Sequence, residues 1–169
     1  IDVAPFDNSA MDGYAVRAGD LAGASELTPV RLRVVEHVAA GAFPTVAVGP
    51  GEATRIMTGA PVPEGADAVV MVERTAEEDG GAIAVIMATV AVGENIRRKA
   101  EDVRSGEVVL SAGEVVSAAA TGLMAAVGCA TPLVYRRPRV AIVATGDELV
   151  AIDEYPGPGK IRNSNSYSL

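Results

Sequence analysis

The clearest hydrophobic pattern in the chain lies over residues 30–38. Val30, Leu32 and Val34 fall on one face and Arg31 and Arg33 on the other, the period of two of a half-buried strand. The alternation slips at Val35, which predicts a bulge or a strong local twist. Residues 53–57, 68–73 and 82–87 are further short apolar runs and read as strands. The acidic stretch Glu77-Glu78-Asp79-Gly80-Gly81 between the last two reads as the solvated turn of a hairpin. Residues 17–29 read as a connection. Residues 39–52, with Gly41, Pro44, Gly49, Pro50 and Gly51, predict turns and short edge strands and no helix.

The pattern changes after Val92. Residues 107–110 predict one more short strand. Residues 115–127 are Ala, Val, Leu and Met with few polar groups, which predicts a buried helix closed by Gly128, where a left-handed glycine belongs. Val140-Ala141-Ile142-Val143-Ala144 is continuously apolar, as a parallel strand covered on both faces would be. Asp147 and Glu148 follow its carboxyl end, the place where open α/β sheets bind ligands. Residues 156–165 read as a loop leading to a helix cap, whose free amides suit an anion. The expected fold class is mixed α+β and multi-domain: a Gly/Pro-rich barrel-like or sandwich-like β region, then the start of an α/β unit.

Composition narrows this picture. Of 169 residues, 49% are hydrophobic but only 4% aromatic, and Trp is absent, so the core must be built from Val, Ala, Leu and Ile. That favours strands over long helices. A net charge of −8 argues against nonspecific binding to nucleic acid or an anionic membrane. Basic residues still cluster at Arg97-Arg98-Lys99 and Arg136-Arg137-Pro138-Arg139, so a small anionic ligand remains compatible. One cysteine, Cys129, allows no internal disulfide, and with a single histidine (His37, given no role) it leaves too few ligands for a Cys/His zinc site. Cys129 is expected to be a small buried hydrophobe. No apolar run approaches the roughly 20 residues needed to span a bilayer and no signal peptide opens the chain, so a cytoplasmic location is expected.

Candidate chemistry concentrates at the start. In Pro5-Phe6-Asp7-Asn8-Ser9-Ala10-Met11-Asp12-Gly13-Tyr14-Ala15-Val16-Arg17, Pro5 fixes φ, Asp7, Asn8 and Ser9 can cap their own backbone, and Gly13 permits a turn closed to a Cβ. Met11 and Tyr14 are apolar anchors beside Asp12. The string suits a carboxylate held on a packed loop, and equally a turn whose Asp residues only cap. Thr58, in the stiff Thr58-Gly59-Ala60-Pro61-Val62-Pro63, either presents a hydroxyl or caps a turn. Arg97-Arg98-Lys99, followed by Glu101 and Asp102, is either a solvated basic face or an oxyanion clamp beside a carboxylate.

The opening string resembles the signature of the molybdopterin molybdenumtransferases, the MoeA and gephyrin E-domain family. Four more blocks fit in the same order: Arg55-Ile56-Met57-Thr58-Gly59-Ala60-Pro61-Val62-Pro63, Asn95-Ile96-Arg97-Arg98-Lys99-Ala100-Glu101-Asp102, Thr145-Gly146-Asp147-Glu148-Leu149 and Gly159-Lys160-Ile161-Arg162-Asn163-Ser164-Asn165. The resemblance covers essentially the whole chain. It implies insertion of molybdate into adenylated molybdopterin with release of AMP, in a magnesium-dependent step. By motif position it implies that Asp12 and Asp102 orient molybdate and transfer protons, that Thr58 hydrogen-bonds an oxyanion, and that Glu148 is a magnesium or nucleotide-side ligand. Arg97 and Arg98 would supply charge-assisted contacts, and Asn163 and Ser164 would line the nucleotide site.

It further implies a homodimer, served by a molybdopterin adenylyltransferase and other proteins of cofactor synthesis. The implied division is a discontinuous linker and dimerisation domain over 1–13 and 95–136, a β-rich domain over 14–94, and from 137 the start of an α/β molybdopterin-binding domain like that of MoaB and MogA. The abrupt start and finish are those expected of a piece of a longer protein, inactive by itself. Ala100 departs from the family's pattern, which has glycine before the Glu-Asp pair; alanine there is strained if the position needs positive φ. Two other readings share the resemblance: a noncatalytic scaffold or dimerisation module of the gephyrin type, disfavoured by the retained Asp12, Asp102 and Glu148, and a tungstate-inserting paralogue, which no residue here separates from the molybdate enzyme.

Overall fold

The computed structural model describes residues 2–168 and divides the chain into two compact units, Ile1–Ala130 and Thr131–Leu169. In the first, strands β1 (Asn8–Ser9), β2 (Gly13–Val16), β3 (Val30–Val38), β4 (Glu52–Ile56), β5 (Ala68–Met71), β6 (Thr75–Glu78), β7 (Ile83–Ile86) and β8 (Ile96–Arg97) precede helix α1 (Ala118–Ala126). Six strands form one mixed sheet in the order β5-β2-β4-β3-β7-β6, so this region is β-rich, and the sheet is open with β5 and β6 as its ends. A separate two-stranded antiparallel ribbon joins β1 to β8.

Small aliphatic side chains decide the packing. One core cluster gathers Tyr14, Val16, Leu21, Leu32, Ala53, Val70 and Ile86. A second gathers Ala15, Val38, Ile56, Ala60 and Val69, with Ile96 of β8 against it. Tyr14 and Ala15 are neighbours in sequence yet belong to different clusters, because successive side chains leave a strand on opposite faces. Strand β2 is therefore buried on both sides. Strand β3 alternates as its sequence predicts, and its pairing with β4 shifts register between Val34 and Glu36, so the bulge falls at Val35. Strands β3 and β4 are parallel, and the loop between them is the Gly/Pro-rich crossover that such a pair requires. The Glu36 carboxylate ties that loop down by accepting from Thr45 N, Thr45 Oγ1 and Val46 N.

Other expectations need correction. The hairpin partner of β7 is β6, whereas β5 pairs with β2. Glu77 and Glu78 thus end a strand, and only residues 79–82 turn. Residues 107–110 form no strand. Helix α1 ends at Gly128 as read, with φ +80°, Cys129 N donating to Met124 O and Gly128 N to Ala125 O, the paired closure of a left-handed glycine cap; at its start Ser117 Oγ accepts from Ala120 N. It is not a buried helix, however; only Ala120 and Met124 are buried, and Cys129 is exposed. An apolar composition alone does not say which face finds a partner.

In the second unit β9 (Leu149–Val150) pairs in parallel with β10 (Ile161–Arg162), and α2 (Asn165–Ser168) follows. Residues 140–144 are exposed and irregular, not a strand, because a parallel strand exists only through its neighbours and none pairs with this segment among the described residues.

Two positions carry a visible cost. Ala100 has φ +59°, so the missing glycine is a real strain. Ala100→Gly is expected to raise unfolding free energy by about 1 kcal/mol, read from the urea midpoint. Thr54 is fully buried on β4, and its hydroxyl has no partner among the described residues. Thr54→Val keeps the shape and removes the orphan, and is expected to hold stability or raise it by about 1 kcal/mol in the same measurement.

Candidate active site

The opening signature is not one loop. It is two short strands separated by a turn, and Asp12 ends that turn. Strand β1 is laced on both edges: Ser9 N donates to Ala60 O at 3.0 Å, Gly59 N to Ser9 O at 2.8 Å and Val62 N to Asp7 O at 3.0 Å on one side, with Asn8 opposite Arg97 and Ser9 opposite Ile96 on the other. The signature, the 57–63 loop and the basic block thereby become one surface, with the backbone polar groups of β1 used to join them. Tyr14 is the anchor that was expected, 1% exposed; Met11, at 41% exposed, is not one.

Gly13 follows Asp12 and is needed for closeness, not for a turn. A Cβ there would stand 1.9 Å from Val70 O on β5. Asp12 O accepts from Val72 N at 3.0 Å, so the backbone on both sides of Asp12 is fixed. Its carboxylate is exposed, yet held. Oδ1 accepts from both Thr58 N and Thr58 Oγ1, each at 2.7 Å. Oδ2 has no hydrogen bond among the described residues. The Thr58 amide first, the Thr58 hydroxyl next and the Arg55 charge last hold this carboxyl below its ordinary value. Thr58 therefore presents its hydroxyl in a fixed place, and both its amide and its hydroxyl go to the Asp12 carboxylate.

Asp7 binds the basic block. Its Oδ1 accepts from Lys99 N and its Oδ2 from Arg98 Nη1, both at 2.7 Å, and the amide first and Arg98 after it lower its pKa. Lys99 Nζ lies 3.4 Å from Asp2 Oδ2. One arm of Arg98 is thus committed, while Arg97 is exposed and has no ion-pair partner among the described residues. Asp102 N donates to Val3 O at 3.0 Å, which ties its backbone down; its carboxylate is exposed and unpaired among the described residues. The list of candidate residues drawn from the sequence lacked Asp7, whose position in the signature was the available signal, and Arg55.

Both lowered carboxyls are deprotonated at neutral pH. The native pKa of Asp7 lies below the unfolded value of 3.8, so its stabilisation is complete above that value and is lost as pH falls through the native one. The urea midpoint is expected to fall on acidification below about pH 4, and less steeply in Asp7→Asn.

In the second unit Glu148 is exposed, with its carbonyl accepting from Ile161 N at 2.8 Å. Asn163 N donates to Val150 O at 3.0 Å, and its side chain caps α2 through Ser166 N and Ser166 Oγ. Asn163 and Ser164 line a cleft of about 410 Å³ with Thr145, Leu149 and Arg162; the Glu148 side chain does not line it. No group of three metal-ligating side chains occurs among the described residues. One carboxylate such as Glu148 fits a magnesium ion held chiefly by substrate phosphates and water, and does not fit a protein cage. No helix among the described residues is long and apolar enough to cross a membrane.

The family described as the MoeA N-terminal region (domain I and II) matches residues 1–128. A molybdopterin molybdenumtransferase of Bacillus subtilis is 47% identical over 97% of the chain, and one from Nostoc is 45% identical over all of it. The chain spans 39% and 38% of those relatives, about two fifths of their length. Two crystal structures of the MoeA molybdopterin biosynthesis protein of Pyrococcus horikoshii superpose with TM-scores of 0.87 and 0.74 at 38% and 39% identity, each over 99% of this chain and 44% and 42% of theirs. The laced signature, the fold and the extent of the match together show that this chain belongs to the MoeA family.

Proposed function

We propose that the complete protein carrying this chain inserts molybdate into adenylated molybdopterin and releases AMP. The observation that carries this reading is Asp12, an anionic carboxylate with Oδ1 saturated by Thr58 and Oδ2 left open beside the exposed signature surface. In the reaction two dithiolene sulfurs replace oxygens on molybdenum, and water breaks the phosphoanhydride that joins AMP to the pterin phosphate. A fixed carboxylate with one open oxygen suits the proton traffic as thiols become ligands and oxo groups leave as water. Thr58 positions that carboxylate. Asp102, with a fixed backbone and an unpaired carboxylate, is the second candidate for orienting molybdate.

Arg97 and the uncommitted arm of Arg98 supply charge-assisted donors for oxyanions. Glu148 would hold magnesium, whose chemistry is to neutralise the phosphates of the leaving AMP; Asn163 and Ser164 belong to the nucleotide side. The same reading takes the protein as a cytoplasmic homodimer that receives its substrate from a molybdopterin adenylyltransferase. It takes residues 1–13 and 95–136 as its linker domain, 14–94 as its β domain, and the remainder as the start of its α/β domain.

The test is product analysis. After incubation of the complete protein with adenylated molybdopterin, magnesium and molybdate, the isolated pterin is expected to carry molybdenum in about equimolar amount. Metal-free pterin from a folded protein would move the reading to the noncatalytic scaffold.

A further inference from the structure

Arg55 does not point into solvent as an arginine on a short strand usually does; its side chain is 18% exposed. It sits directly opposite Tyr14 in the pairing of β4 with β2, and its guanidinium carbon lies 5.2 Å from the centre of the Tyr14 ring. Nη1 donates to Gly13 O at 2.9 Å. Nε lies 3.9 Å from Glu77 Oε1, which also accepts the Tyr14 hydroxyl at 2.7 Å. Burial, reinforced by Glu77, pushes the Tyr14 hydroxyl up to about 12, so it stays a donor across the working range. Three strands, β2, β4 and β6, thus close a ring of side chains around one arginine.

What that arginine grips is the carbonyl of the residue after Asp12. Three residues further along the same segment, Thr58 grips the Asp12 carboxylate. A single stretch of chain, 55–58, therefore restrains the Asp12 side chain and the carbonyl of the residue that follows it. The Arg55 charge also reaches the carboxylate and favours its anionic form. The sheet itself has no need of these contacts, since the β2–β4 ladder is made by backbone groups.

We propose that Arg55, braced by Tyr14 and Glu77, is a positioning residue that fixes the Gly13 carbonyl and so the direction in which Asp12 presents Oδ2. This rests on the role assigned to Asp12 above, so the test has one readout that needs no activity. In the complete protein, the Thr58 amide, whose protection comes from Asp12 Oδ1, is expected to exchange its hydrogen about tenfold faster in Arg55→Met, with the β2 and β4 core amides unchanged. Arg55→Lys, which keeps the charge and stem but not the planar fork, and Glu77→Gln, which weakens the brace, are expected to give smaller effects in the same direction. In the AMP-release assay Arg55→Met is expected to lower kcat about tenfold with KM for molybdate unchanged, and to add nothing in an Asp12→Asn background.

Equal acceleration of all amides, or additive losses in both backgrounds, would make Arg55 a general structural residue and overturn the proposal. So would unchanged Thr58 exchange in a folded variant. If Arg55→Met does not fold, the Lys and Gln variants decide by the same readouts. A wild-type protein without AMP release would defeat the functional reading alone, and Thr58 exchange would still decide the placement.

Discussion

Asp12→Asn in the complete protein is expected to lower the molybdate-dependent rate of AMP release by about 100-fold or more while leaving the fold intact. The substitution is nearly isosteric. An asparagine Oδ1 can still accept from Thr58 N and Oγ1, so the local geometry has no reason to open. Asp12 is exposed, and no core cluster includes it. What disappears is the negative charge and proton-accepting power of Oδ2. The measurement is the initial rate of AMP release beside a thermal melt. A folded variant that works within a few-fold of the wild type would remove Asp12 from the chemistry.

The second large effect is on folding. Gly13→Ala is expected to reduce unfolding free energy by about 3 kcal/mol, read from urea denaturation. The added Cβ would meet Val70 O at 1.9 Å, Val70 C at 2.9 Å and the Met71 Cα at 3.2 Å. All three are backbone atoms of a paired strand, so no flexible side chain can swing away. To admit the methyl, β5 must part from β2, which disturbs both core clusters at Val69 and Val70. It would also displace the Gly13 carbonyl from Arg55 and Asp12 from Thr58. A change below about 0.5 kcal/mol would mean that the β2–β5 approach is looser than the structure has it.

These two cases show what the sequence could and could not disclose. Local period was readable: β3, with its slip at Val35, follows from alternation alone, and the Gly128 cap of α1 from one glycine after an apolar run. The strain at Ala100 was visible as a departure from the family's pattern and is present as a positive φ. Contacts between remote positions were not readable. Nothing local in Arg98 says that it pairs with Asp7, or in Glu77 that it receives the Tyr14 hydroxyl instead of ending in solvent. Gly13 looked like a turn glycine because close approach to a strand 57 residues later leaves no local mark. Apolar runs misled for a related reason. Residues 140–144 and 107–110 have strand-like composition, but a strand is made by its partners, and burial of α1 or Cys129 by whatever covers them.

For the site, the five blocks carried the family and the candidate carboxylates. The structure adds the arrangement: Thr58 holding Asp12, Asp7 holding the basic block, and β1 stitching both to the signature.

The most direct test of the whole account is the rate of AMP release from adenylated molybdopterin by the complete wild-type protein, measured with and without molybdate at fixed magnesium. The account predicts release that depends on molybdate and saturates with it. A folded, substrate-binding protein whose release rate is the same at every molybdate concentration would contradict it.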